Sequence, residues 1–437
     1  MSMPWPPEKK SGMESQRDRN TCKVALLVAL ATVLQISESL IPYPIPGLRL
    51  GLANMLTLTA MVVLGFRSAL EVAVLRTTLS SLIMGTFMSP TFILSFSAAV
   101  ISTLVMGFFY WLSGLHDRCR FSVIGISIIG AFTHNMVQLS LAYLLLVKHG
   151  GIFVFFPWLA YGAVAPGWLV GVVTGGVCRR LAESSSEKML QAIQAESAVP
   201  VFRHYVAGDS LLHRTPPQVK ISVIFALAVA VLIFGEFWLY LGLFCLVVAA
   251  SLASGTPFGY LLSRVRRASF LVGIAFLLPA FFNPGTNVVG SLGPITITSE
   301  GLATGALFAA RILLLIISSC LLVRTTSPEE MTRGLVKVLS PIRYFGVSEE
   351  RIATILSLSW TAVPYLLDTA RRTIRAANLK NAKNVRNLIP LLSNLIAALY
   401  LTTEPDSEVW KRAWPAEAKE PTGQALIREE LAGGLTT

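Results

Sequence analysis

Apolar runs long enough to cross a bilayer fill two stretches of this chain. They are separated by a polar seam from Arg179 to Lys220, RRLAESSSEKMLQAIQAESAVPVFRHYVAGDSLLHRTPPQVK. The seam is charged, Ser-rich and broken by Pro200, Pro216 and Pro217, the composition of a linker outside the membrane. Before it, six apolar segments are drawn at about 23–41, 50–65, 68–87, 91–114, 121–148 and 152–178. Each is near the roughly 20 residues that a spanning helix needs. After it come apolar runs at about 221–235, 237–253, 268–282 and 301–323. The pattern predicts an all-α, polytopic integral membrane protein of two helical modules, with about six plus four to five spans. Its divisions are a tail at 1–22, a first module at 23–178, a linker at 179–207, a second module at 208–401 and a polar tail at 402–437.

Composition agrees with a membrane chain. The 437 residues are 54% hydrophobic and 14% charged, against roughly a quarter charged in soluble domains. The formal charge of +12 sets orientation in such a chain and does not call for nucleic acid. With the N-terminus in the cytoplasm, Lys9, Lys10, Arg17, Arg19, Lys23, Arg67, Arg118, Arg120, Arg179 and Arg180 fall inside, and only Arg49 and Lys148 outside. Arg264, Arg266 and Arg267 likewise place their loop inside, while the Gly/Pro/Asn-rich loop 283–301 has no Lys or Arg and suits the outer face. The expected location is the plasma membrane. No small-residue cleavage site follows the first apolar helix, so no removed signal peptide is read. The five cysteines are scattered, without a C-x-x-C, and read as reduced.

Some polar residues interrupt the apolar runs. A charge near the bilayer centre costs at least about 2.5–3.5 kcal/mol, so such groups face a cavity or a partner. Glu38, Arg76, His134, Asn135 and Gln138 are of this kind, and Asn54 joins them as a candidate substrate-binding residue. His134, Asn135 and Gln138 share one helical face by their spacing. Hydrogen bonds between helices are an equal alternative for His134 and Asn135, and Glu38 and Arg76 can simply pair. Between the first two segments, ESLIPYPIPGLRLGLANMLTL (38–58) carries Pro42, Pro44 and Pro46 and takes an extended path. Irregular backbone at a membrane edge lines a cavity or is buried in protein.

In the second module, TTSPEEMTRGLVKVL (325–339) offers Ser327 as an N-cap, Pro328 at the first helical position and Glu330 to close a capping box. Met331, Leu335 and Leu339 recur against Arg333 and Lys337, an amphipathic pattern. A long helix follows from about Glu349 to Asn378, with a kink expected at Pro364, and ends in the basic DTARRTIRAANLKNAKNVR. That end suits anionic lipid or a soluble partner.

The first-module motifs IPYPIPGLRLGLAN, SLIMGTF and GISIIGAFTHNMVQLSLA, with the Arg76 helix, resemble the Gx transporter family, also catalogued as heptaprenyl diphosphate synthase component I. That family is similar to the substrate-binding S components of energy-coupling factor (ECF) transporters. The resemblance spans about residues 23–180 and implies a six-helix unit that binds a small molecule, vitamin- or isoprenoid-like. The Asp-rich D-D-x-x-D motif of prenyl diphosphate synthases is absent, so prenyl transfer is not expected.

From about 208 to 400, SLLHRTPPQVK, GLATGALFAARILLLIISSCLLVRTTSPEEMTRGLVKVL and LSLSWTAVPYLLDTARRTIRAANL resemble the transmembrane T component of ECF transporters, the CbiQ/EcfT family. That resemblance implies cytoplasmic coupling helices, each ending in an Ala-Arg-Gly motif on an ATPase subunit. Here the first motif falls on Ala376, Ala377 and Asn378, without its arginine, although Arg371, Arg372 and Arg375 precede it. The run 388–401 fits either a second coupling helix or a short span. There is no G-x-x-x-x-G-K-[ST], so ATP-binding subunits must be separate partners. No catalytic residue, cofactor or metal ligand set is expected; His116, His134, His149, His204 and His213 lack partners at ligand spacing. The chain therefore reads as a fused substrate-binding and coupling component of an ECF-type importer. An ATPase-independent carrier, a membrane accessory of isoprenoid or quinone synthesis, and a scaffold remain open.

Overall fold

A computed structural model describes residues 12–39, 51–115, 121–147, 150–183, 206, 208, 210–283, 286–292, 295–338 and 349–376. The first module supplies α1 (Gly12–Ser39), α2 (Leu52–Leu64), α3 (Phe66–Met84), α4 (Pro90–Leu115), α5 (Val123–Leu141) and α6 (Phe156–Glu183). A π-helical turn, Ala142–Val147, prolongs α5, and a 3-10 segment, Gly150–Phe155, leads into α6. The second supplies α7 (Leu211–Arg214), α8 (Pro217–Ile233), α9 (Phe237–Ala253), α10 (Phe258–Arg267), α11 (Ser269–Phe282), α12 (Ser299–Thr325), α13 (Pro328–Val338) and α14 (Glu349–Ala376).

Each apolar segment expected from the sequence is helical, but fewer are long and apolar enough to span. Among the described residues five helices qualify by length and composition: α1, α4, α5 with its π turn, α6 with its 3-10 lead, and α12. Helices α10 and α11, bent by 63° at Ala268, make a sixth if taken as one span. The expected count of six plus four to five is higher for two physical reasons. Helix α2 has 13 residues, about 20 Å at 1.5 Å per residue, against a hydrocarbon core of about 30 Å. Helix α3 carries Arg67, Glu71 and Arg76. Helices α8 and α9 are apolar but also short.

The all-α expectation needs one addition. Where sequence pattern predicts an irregular loop, Val288–Leu292 (β1) pairs antiparallel with Ile295–Thr298 (β2), with a register shift between Val288 and Gly290. The β-branched run Ile295-Thr296-Ile297-Thr298 favours a pleated strand. Glu300 fastens the base of the hairpin by accepting from the Thr286 hydroxyl at 2.9 Å.

From Val24 to Ala31 helix α1 is apolar on every face and is enclosed accordingly, with Val24, Ala25, Val28, Ala29 and Ala31 all buried. Helices α2 and α3 cover one side of it and α14 another. Helices α5 and α6 form the closest pair of the first module. A Cβ on Gly167 or Gly171 would stand 2.8 or 2.6 Å from the Cα of Ile128 or Ile124. Small residues permit that backbone approach where no water drives helices together.

The two modules share their cores. One apolar cluster joins α1, α2 and α3 to Leu322, Met331, Leu335, Ile355 and Val363 of the second module. Another joins Leu139, Leu146 and Ile152 to Leu261, Ala275, Phe308, Ile312 and Ile316. The level of these contacts is informative. Charge pattern assigns Met84 to the outer end of α3 and Arg264 to an inner loop, yet Arg264 Nη1 donates to the Met84 carbonyl at 2.9 Å. At the other end of α3, Glu71 pairs with Arg351 of α14 at 2.9 Å. Both ends of α3 therefore meet the second module, and the end of the first module bearing Met84, Leu146 and Ile152 abuts the flank of α12 and its neighbours.

Candidate functional site

The first module holds a small, partly open cavity. Glu38, Asn54, Arg76, His134, Asn135 and Gln138, singled out by sequence, all line it. Gln35, Ser95 and Ser127 also line it and were not singled out. Helical spacing offers a signal for the first, since Gln35 lies three residues before Glu38 on the same face of α1.

Glu38 does not pair with Arg76 directly. Its carboxylate accepts the backbone N–H of Gly51 at 2.8 Å and of Leu52 at 3.2 Å. Gly51 has φ 72°, a left-handed conformation that L side chains resist. A left-handed residue followed by a helical one turns successive N–H groups into one concavity suited to an anion. The charge of Glu38 thus serves the N-terminus of α2, where the helix dipole also favours it.

Arg76 lies across the cavity wall, 3% exposed. Its Nε donates to Thr57 Oγ1 at 3.1 Å and Nη1 to Gln35 Oε1 at 2.9 Å, while Nη2 donates to Asn54 Oδ1. The guanidinium is donor-only, so both amides must present their oxygens to it and turn their NH₂ groups elsewhere. On α5, the Gln138 amide donates to His134 Nε2 at 3.2 Å, and Asn135 Nδ2 donates to the Leu159 carbonyl of α6 at 2.9 Å. The cavity is therefore polar at the α1–α2–α3 corner and mixed elsewhere, with Ala53, Leu58, Met106, Ala163 and Val170 on its walls. Among the described residues no cluster of His, Cys, Asp and Glu is placed to hold a metal ion.

A second polar constellation lies at the joint between the modules, and sequence pattern gives no hint of it. Arg311, 2% exposed on α12, donates from Nη1 to the Leu145 carbonyl of the π turn at 2.8 Å and from Nε to the Tyr240 hydroxyl at 3.0 Å. Tyr240 passes its own proton to the Val231 carbonyl at 2.7 Å. A π turn leaves its carbonyls irregularly satisfied, and Arg311 supplies a donor there. Arg264, expected in a solvated loop, is instead buried and bound to Met84.

Coupling residues are positioned by α12 to α14. The capping box at the start of α13 is complete: the Ser327 N–H donates to Glu330 Oε2 at 2.9 Å, and the Glu330 N–H to Ser327 Oγ at 3.3 Å. Lys220 ties the start of α8 to the end of α12 through the Thr325 carbonyl at 2.9 Å. Helix α14 then runs without a break past Pro364 and carries Arg371, Arg372, Arg375 and Ala376. Ala377, Asn378 and the run 388–401 lie outside the described residues, as does the 40–50 loop.

Comparison with known proteins divides the chain in the same order. Residues 27–177 match the family described as heptaprenyl diphosphate synthase component I. Residues 208–408 match the family described as cobalt transport protein, CbiQ. The energy-coupling factor transporter transmembrane protein EcfT of Listeria innocua is 31% identical over 212 residues, covering 47% of this chain and 80% of that protein. The chain belongs to the EcfT family. EcfT proteins of Thermosediminibacter oceani and Ruminiclostridium cellulolyticum are each 29% identical, over 43% and 45% of this chain and 74% and 76% of their own lengths. It is thus an EcfT-type T component of the plasma membrane preceded by a component I-like module. Family membership supports a non-enzymatic transport role, and the component I name of the first match does not imply catalysis.

Proposed function

We propose that this chain is the membrane part of an ECF-type ABC importer in which substrate binding and energy coupling are fused. The first module, 23–178, binds a small molecule in the Arg76 cavity. The second, 208–401, transmits the movement of separate ATP-binding subunits, which dock at the basic end of α14 around Arg371, Arg372, Arg375 and Ala376–Asn378. The linker 179–207 and the tails 1–22 and 402–437 lie in the cytoplasm, and lipid meets the outward aromatic faces of α4, α6 and α9.

One observation carries this reading. Helix α1 belongs to both machines. Its C-terminal end brings Gln35 and Glu38 to the cavity, while its middle is covered by α14, with the Ser359 hydroxyl donating to the Ala25 carbonyl at 2.8 Å. A rigid helix moved at its basic end shifts the element that carries the cavity wall. The pose of α3, touched at both ends by the second module, supports a first module that reorients within the membrane during transport.

The test is co-purification of the tagged full chain from its native membranes in mild detergent. Two P-loop ATPase subunits are expected in near-stoichiometric amount, and alanine at Arg371, Arg372 and Arg375 together should remove them. A folded chain that brings down no ATPase would overturn the coupled reading in favour of a solitary carrier. Capture unaffected by the triple variant would overturn the docking assignment alone.

A further inference from the structure

The cavity holds one cation and one anion, Arg76 and Glu38, that share no hydrogen bond. Arg76 is buried, and its three hydrogen-bond acceptors, Thr57, Gln35 and Asn54, are all neutral. Glu38, the acidic residue on the cavity wall, has its oxygens committed to the Gly51 and Leu52 N–H groups. The ion pair found among the described residues is elsewhere, between Arg351 and Glu71. Glu38 therefore acts on Arg76 only through space, and the hydrogen-bonding faces of the two groups are separate.

A guanidinium has five N–H donors. Three are used here, so one remains on each terminal nitrogen, the pair that a carboxylate takes in a bidentate contact. Because Gln35 and Asn54 turn their oxygens to Arg76, their NH₂ groups add further donors at the same corner of the cavity. The corner is therefore rich in donors around the guanidinium. The other walls are mixed, with Ala53, Leu58 and Met106 beside Ser127, His134 and Gln138.

We propose that the Arg76 corner binds the carboxylate of a small monocarboxylic acid. This rests on the reading of the first module as a small-molecule binder and names the class it takes. A diphosphate is disfavoured, because its several negative charges would meet one cation: no other Lys or Arg is among the cavity residues, and no metal-ligand cluster is present among the described residues.

The experiment follows the thermal unfolding of the full chain in lipid nanodiscs, at fixed ionic strength and neutral pH, titrated with three probes. Benzoate carries the single carboxylate on an apolar body, benzamide is its neutral isostere, and inorganic pyrophosphate carries multiple charge. Binding to the folded state raises the unfolding midpoint with probe concentration. A rise with benzoate alone is expected, lost in Arg76→Gln and partly kept in Arg76→Lys. Each variant's fold is checked by its midpoint without probe. Should Arg76→Gln not fold, Gln35→Ala, which removes one donor from the corner, should weaken the benzoate response several-fold. Equal response to benzamide would remove the carboxylate class while leaving small-molecule binding standing. A response to pyrophosphate equal to or above that of benzoate would replace the monocarboxylate with a polyanion. No response to any probe at tens of millimolar would overturn the subsite. The ATPase co-purification is independent of all four outcomes.

Discussion

Arg76 and Arg311 are both buried arginines on helices of a membrane protein, and their surroundings answer them differently. Arg76 is held by three neutral side-chain oxygens at the edge of a cavity. Arg311 is held by a backbone carbonyl of the other module and a tyrosine hydroxyl at a packed joint, with the Phe308 ring 5.2 Å from its guanidinium carbon. The first arrangement stands beside a space with room for a ligand. The second sits in a packed joint, where both of its bonds fasten α12 to other elements, the π turn after α5 and Tyr240 of α9. An intramembrane charge is therefore not in itself a binding residue; what accepts its protons decides the role.

Substitutions sharpen or break this distinction. The largest effect is expected from Arg76→Met. It strands Thr57, Gln35 and Asn54, and each buried polar group left unsatisfied costs about 1–3 kcal/mol. Hydrogen exchange should show α2 and α3 opening first, with residues 142–147 unaffected. Arg311→Met is expected to come next. It removes two charge-assisted bonds, each contributing about 1.5–3 kcal/mol. Its loss should appear as faster exchange across 142–147 and 306–316, with the response to cavity probes retained. If Arg311→Met abolished that response, the cavity and the joint would be one unit and the contrast would fail.

A smaller effect is expected for Gly51→Ala. A Cβ at φ 72° costs about 1–2 kcal/mol. It disturbs the concavity that holds Glu38, so protection of the first turn of α2 should fall while the joint is unchanged. The smallest concerns Arg351 and Glu71, whose side chains are 23% and 17% exposed. A double-mutant cycle on thermal stability should return about 0.2–1 kcal/mol for so accessible a pair. A larger coupling would make this contact a third fastening of the modules.

How much of this was legible beforehand depends on the range of the interaction. The helices follow from apolar runs, and the capping box at Ser327 follows from four consecutive residues. The cavity was legible in outline because polar residues stand out on apolar helices: Glu38, Asn54, Arg76, His134, Asn135 and Gln138 all line one space. What each does there was not legible. Glu38 and Arg76 suggest a pair by charge alone, but the left-handed Gly51 diverts the carboxylate to the backbone. Helix α2 is shorter than its apolar run because it is bounded by Gly51 and Gly65, which hydropathy does not register. The joint was invisible, since Arg264 and Arg311 find carbonyls 180 and 166 residues away. Positive charge in a short loop reads as topology, and only tertiary structure shows Arg264 turned inward.

Most direct for the central claim, that the first module turns against the second as ATP is used, is a cross-linking yield. In a cysteine-free background, Met84→Cys on α3 and Ser263→Cys on α10 place thiols on either side of the Arg264–Met84 contact. A short bifunctional thiol reagent is applied to the full chain with its co-purified ATPases in nanodiscs, with and without ATP and magnesium. A yield that changes several-fold with nucleotide is the expected result. An identical yield in both conditions, with the ATPases active, would contradict the reorientation and leave the joint a fixed structural contact.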